Sequence, residues 1–103
     1  MKGGVVMPTY ISLLSYTQKG IEEVKEGPAR LDVAKEAFRS MGAEIKQFYT
    51  VTGRFDLVVV SEAPDDETVA KLALMIGSQG AVRTETLRAF PEEEYRDIIA
   101  ALP

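Results

Sequence analysis

Apolar positions along the chain change period repeatedly, and each change marks an element. Thr9–Tyr16 reads Thr-Tyr-Ile-Ser-Leu-Leu-Ser-Tyr, with β-branched, hydroxyl and aromatic residues between leucines and no helix breaker, which predicts a strand. Ile11, Leu13 and Ser15 fall on one face, and Tyr10, Ser12, Leu14 and Tyr16 on the other. Both faces are partly apolar, so this strand belongs inside a sheet covered on both sides. The spacing then shifts to threes and fours. Thr17 caps a short helix carrying Ile21 and Val24, Gly27-Pro28 interrupts it, and Leu31, Ala34, Ala37, Phe38 and Met41 form the stripe of a second helical piece ending at Gly42.

Alternation returns over residues 43–52. It places Ile45, Gln47, Tyr49 and Val51 on one face and Glu44, Lys46, Phe48 and Thr50 on the other; the charged start suits an edge strand. The turn Thr52-Gly53-Arg54 leads into residues 55–63, the most apolar stretch and the expected central strand. Asp65 is the expected N-cap of the next helix, with acids in its first turn and a stripe of Val69, Leu72, Ala73 and Ile76 that stops at residues 77–80. Residues 81–90 alternate again, with Val82, Thr84, Thr86, Arg88 and Phe90 opposite Arg83, Glu85, Leu87 and Ala89. So polar a strand belongs at an edge. Pro91 opens a terminal helix with Tyr95, Ile98, Ile99 and Leu102 on one side.

The order βαββαβ, plus that helix, predicts an α+β, ferredoxin-like fold. Two right-handed βαβ halves give a four-stranded antiparallel sheet, order 4-1-3-2, with helices on one face. Residues 1–7 read as an N-terminal leader, disordered or extended, with Met7 an alternative start; residues 8–103 read as one domain. The face away from the helices is expected to carry Leu14, Phe48, aliphatic residues of the third strand and parts of Tyr10 and Tyr16. An apolar patch of that kind marks an interface. The predicted partner is a second copy, sheet against sheet, as a homodimer or higher oligomer. The competing arrangement folds the terminal helix back over its own sheet.

Composition narrows the chemistry. The net charge is −4, and the 12 basic residues are scattered among 16 acidic ones, which disfavours nucleic acid. No apolar run approaches membrane-spanning length, so no membrane partner is expected and a cytoplasmic home is the default. With neither cysteine nor histidine, the chain lacks disulfides, thiolate nucleophiles, zinc sites of the Cys/His kind and the commonest general base near neutral pH. Asp65-Asp66-Glu67 and Glu92-Glu93-Glu94 open helices, where acids are expected, and neither has calcium-loop spacing. We expect no metal and no cofactor.

The remaining candidates are few. Arg54 and Asp56 flank Phe55 at the central turn, as an anion clamp or, the favoured reading, as turn residues with Asp56 capping backbone donors. Thr86 and Arg88 share a face of the last strand, and Tyr10 and Tyr49 carry phenols that could bind a ligand or satisfy a neighbour. Glu62, closing an apolar strand, and Asp56 are the carboxylates placed to move a proton.

Three motifs in order resemble the GYD domain family: Gly53-Arg54-Phe55-Asp56, then Glu62-Ala63-Pro64-Asp65-Asp66-Glu67, then residues 82–90 (Val-Arg-Thr-Glu-Thr-Leu-Arg-Ala-Phe). The resemblance runs from about Pro8 to Tyr95. Phe55 stands where the family name has tyrosine, so a phenol acid or base is absent there. The resemblance implies a ferredoxin-like fold of the dimeric α/β barrel type, a class that includes cofactor-independent monooxygenases, lactone isomerases, haem proteins and small-molecule sensors, and it names no function. Two readings follow. The first is a small oligomeric ligand-binding or structural domain. The second is a cofactor-independent, monooxygenase- or isomerase-like enzyme acting on a small aromatic or acidic organic molecule, with Arg54 or Arg88 orienting it. A third use, docking a larger partner through the terminal helix, requires Tyr95, Ile98, Ile99 and Leu102 to be exposed.

Overall fold

The four alternating stretches form strands β1 (Thr9–Tyr16), β2 (Glu44–Thr50), β3 (Leu57–Glu62) and β4 (Val82–Ala89) in a computed structural model that describes residues 7–103. Residues 1–6, most of the expected leader, lie outside the described residues. The sheet runs β2-β3-β1-β4 with every pairing antiparallel, which is the expected order read from the other edge. The two apolar strands are central and the two mixed strands are at the edges.

The helical stripes fold as expected. Thr17 caps α1 (Gln18–Glu22), its hydroxyl accepting from Gly20 N at 3.1 Å. A 3-10 turn, Val24–Glu26, leads into α2 (Gly27–Ser40), with Pro28 in its first turn. Asp65 caps α3 (Asp66–Ser78): its carboxylate accepts from the backbone and the hydroxyl of Thr68, both at 2.8 Å, which holds it below the usual carboxylate range. Leu72, Phe38, Tyr10, Ala43 and Ala63 form the buried core between α2, α3 and the sheet.

Two facing assignments change. Tyr10 lies in that core, and Leu14, Tyr16 and Phe48 line the space beneath the helices, so these residues face the helices and not the open side of the sheet. By alternation, the open side carries Ile11 and Leu13 of β1, Val58 and Val60 of β3, Tyr49 of β2 and Leu87 of β4. The register sets them in cross-strand rows: Tyr49, Val58, Leu13, Glu85, then Gln47, Val60, Ile11, Leu87. Both faces of β1 are apolar, so hydrophobicity alone cannot say which one meets the helices.

The second change lies in β2. Ile45 pairs with Ser61 while Gln47 pairs with Val60, which leaves Lys46 as a bulge. The extra residue reverses the phase. Ile45 faces the helices with Phe48 and Thr50, not the open side with Gln47 and Tyr49.

Helix α4 (Glu92–Ala100) does not fold back over the sheet. None of its residues is buried, and Tyr95, Ile98, Ile99 and Leu102 are all exposed. Its side-chain tie to the sheet is the 3.5 Å ion pair of Glu94 with Arg88.

Candidate functional site

Three surfaces hold the residues of interest: a large cavity under the helices, a small cleft beside it, and the open face of the sheet.

The cavity measures about 550 Å³ and lies between the sheet and the helices α1 to α3. Its sheet wall combines apolar Leu14, Phe48, Leu57 and Val59 with the hydroxyls of Ser12, Thr50, Ser61, Thr84 and Thr86. Ser12 and Thr86, opposite one another in the β1–β4 register, are hydrogen-bonded at 3.1 Å. The helix wall sets the small residues Ala34 and Ala37 of α2 and Ala73 of α3, whose short side chains leave space, among larger apolar ones such as Leu31, Phe38, Val69, Leu72 and Ile76. Val24, Val33 and Met75 line it and are exposed, which places the mouth on the side of α2 and α3 that faces solvent. Glu23, Glu26 and Arg30 stand there, and the hydrogen bond from Arg30 holds the Glu23 carboxyl below its usual range.

The cleft joins Tyr10, Thr86 and Arg88, predicted from sequence, to Asp66, which was not. The register accounts for the first three, since Tyr10 pairs with Arg88 and Ser12 with Thr86. The first turn of α3 lies above them, and the Tyr10 hydroxyl donates to the Asp66 carboxylate. Sequence reasoning saw in Asp66 only a helix-dipole acid. Its contact spans 56 positions and is visible only once the topology sets α3 over β1. The Arg88 guanidinium stacks 4.3 Å from the Phe90 ring, stands 5.8 Å from that of Tyr10, and donates to the carbonyls of Thr9 and Ala89. Its donors are thus largely engaged in holding the end of β4 and the start of α4.

Burial, and after it the hydrogen bond to Asp66, pushes the Tyr10 phenol up from 10.0 to about 12. The folded chain therefore keeps this proton at a pH where the unfolded chain releases it. The stabilisation is complete below pH 10 and is lost as pH rises through about 12. Urea midpoints measured across that window should fall more steeply for the wild type than for Tyr10→Phe; parallel curves would remove Tyr10 as the cause.

The other predicted residues lie elsewhere. Asp56 accepts from Tyr16 N at 2.9 Å through its carboxylate; its own N–H donates to Leu14 O at 2.8 Å, and its carbonyl accepts from Val51 N at 2.9 Å. Its polar groups hold the central turn, where Gly53 takes a φ of 119°. Arg54 is exposed, its guanidinium 5.7 Å from the Phe55 ring. Tyr49 is half exposed on the open face of β2, and Glu62 sits in the cross-strand row with Glu44 and Thr9. The structure does not bring Arg54, Asp56, Tyr49 or Glu62 together with Tyr10, Thr86 and Arg88. Among the described residues, no three acidic side chains converge into a group that could hold a metal ion, and no helix is long and apolar enough to cross a membrane.

Known proteins resemble this chain in sequence or in fold. The "Glutamine synthetase and cystathionine beta-lyase binding protein" of Thermus thermophilus is 40% identical over 97 residues, spanning 93% of this chain and 99% of that protein. The crystal structure of TTHA0845, also from Thermus thermophilus, superposes with a TM-score of 0.53 at 29% identity, over 82% of this chain and 94% of that one. The leucine response regulatory protein LrpA of Mycobacterium tuberculosis superposes with a TM-score of 0.61 at 17% identity. That match covers 81% of this chain but only 50% of the regulator, so the chain spans about half its length, and the likeness is one of fold alone. With the βαββαβ order, the Gly53 turn and a match to the GYD domain across residues 10–99, the chain belongs to the GYD domain family.

Proposed function

We propose that the chain is a non-catalytic binding protein working as a dimer or larger assembly, its copies joined open face to open face. The observation that carries this is the central patch of Ile11, Leu13, Val58 and Val60, flanked by Tyr49 and Leu87, over which none of the described elements packs. Sheets bury such a face by stacking about 10 Å from another sheet. A second copy supplies one, and two-fold symmetry closes the contact. The relative named for binding two enzymes is similar across nearly both lengths, which supports other folded proteins as the cargo of the assembly. The exposed stripe of α4 is a second surface for such a partner. A cytoplasmic setting completes this reading. Catalysis without a cofactor draws little support from the cavity, because the carboxylates among its lining residues, Glu23 and Glu26, stand at its mouth.

Native mass spectrometry and sedimentation at micromolar concentration test the assembly. The wild type should be a dimer or larger. Val60→Lys, which sets an unpaired ammonium in the middle of the face, should weaken self-association by about 100-fold or more, or about 2.7 kcal/mol. A monomeric wild type would overturn the reading. Binding of purified glutamine synthetase or cystathionine β-lyase to the assembly, read by titration calorimetry, tests the cargo separately.

A further inference from the structure

We propose that the cavity under the helices is a binding site for an uncharged, mainly apolar small molecule carrying a hydroxyl or carbonyl group. Protein interiors are close-packed, with few voids larger than a water molecule. A space of about 550 Å³ in a chain of 103 residues is therefore a feature of the fold, and it falls within the size range of ligand pockets, about 300–1,000 Å³. The residues that make the room lie on two helices. Ala34 and Ala37 on α2 and Ala73 on α3 stand where longer aliphatic side chains would close the gap.

The sheet wall names the class of ligand. A wall serving only to pack against helices would be aliphatic throughout. Here Ser12, Thr84 and Thr86 line up on β1 and β4, with Thr50 and Ser61 on the other two strands. These side chains donate and accept without charge. Ser12 and Thr86 share one hydrogen bond, which leaves further hydroxyl capacity facing the space. Leu14, Phe38, Phe48 and Val59 supply the apolar surface. The ionised groups of the lining are at the mouth, where Arg30 is already paired with Glu23 and Glu26 adds negative charge. A carboxylate or phosphate taken inside would lose its water without gaining a counter-charge. The proposal does not depend on self-association, since every wall comes from one chain.

The probe is the uncharged dye N-phenyl-1-naphthylamine, whose fluorescence rises on transfer to an apolar site. Wild-type protein should bind it saturably at one dye per chain. n-Decanol should displace it at least about tenfold more effectively than decanoate at pH 8, reflecting the cost of burying a charge. Ala34→Phe and Ala73→Phe fill the space from different helices, and each should weaken dye binding by about tenfold or more while circular dichroism shows a folded chain. Val60→Lys, on the opposite face, should bind dye as the wild type does, whether or not the wild type proves to be a dimer. The proposal is overturned if binding is not saturable, if decanoate competes as well as decanol, or if a folded filling variant binds normally. It is equally overturned if Val60→Lys abolishes binding, because the dye would then be reporting the open face.

Discussion

Leu72→Ala is expected to lower stability by about 2–5 kcal/mol, the range for truncating a buried leucine. Leu72 is 1% exposed, on the inward face of α3, in the cluster with Tyr10, Phe38, Ala43 and Ala63. Two of those neighbours are alanines, with no longer side chain to swing into the vacated volume. The tyrosine is held by Asp66, so it too resists moving. The surroundings should therefore relax little, which puts the cost in the upper half of the range. For a domain of this size, each kcal/mol lowers the melting temperature by roughly 4–8 °C. Calorimetry on the variant should show a fall of at least about 10 °C. A smaller fall would mean that the core collapses more readily than its composition implies.

Gly20→Ala is expected to be nearly as damaging, for a different reason. Gly20 is buried, and a Cβ added there would lie 1.9 Å from the carbonyl oxygen of Ala81. That atom is backbone, so no rotamer change relieves the clash. The same carbonyl accepts from Thr17 N at 3.0 Å, and the Thr17 hydroxyl donates to Gly80 O at 2.5 Å. Parting α1 from the start of β4 therefore strains the helix cap and the docking hydrogen bonds together. The expected cost is about 3 kcal/mol or somewhat more, the upper end for overpacking. Because Gly20 also lines the cavity, dye binding and melting temperature should fall together. A Gly20→Ala protein that melts with the wild type would show that the close approach of α1 to β4 is not needed.

How much of this was legible in the sequence depended on whether the signal was local. The caps at Thr17 and Asp65, a new helix opening with Pro28 in its first turn and the turn at Gly53 follow from chemistry within four residues, and each appears where expected, although the first helix ends at Glu22, before the expected break at Gly27-Pro28. The strand order followed from the two right-handed βαβ crossovers, and the apolar strands fell at its centre. Facing was another matter. On β1, Tyr10 and Leu14 compete with Ile11 and Leu13, and only the position of α2 and α3 separates them. The bulge at Lys46 carries no glycine or proline to announce it, so alternation passed through it and grouped Ile45 with Gln47 and Tyr49 instead of with Phe48. At the candidate site, Tyr10, Thr86 and Arg88 converge because β1 and β4 are neighbours, a fact the fold prediction contained. Asp66 joins them from a helix end whose acids had a sufficient local explanation. The cavity was not legible at all, since it depends on how far α2 and α3 stand from the sheet.

The bulge at Lys46 also bears on where growth by added chains stops. It shifts the register of β2 against β3 and so bends the edge strand, and the neighbouring ion pair of Lys46 with Glu44 sets two charges on that strand. On the far side of the sheet, β4 carries Arg83, Glu85 and Arg88. A further strand meeting either margin would find an irregular ladder or a line of charges, both of which discourage lateral addition. The sheet is thus guarded along its sides, while its open surface carries the proposed contact between copies. Copies joined as proposed would stack without extending the sheet sideways into a ribbon, so a concentrated solution of this protein should saturate at a closed assembly rather than thicken into fibres.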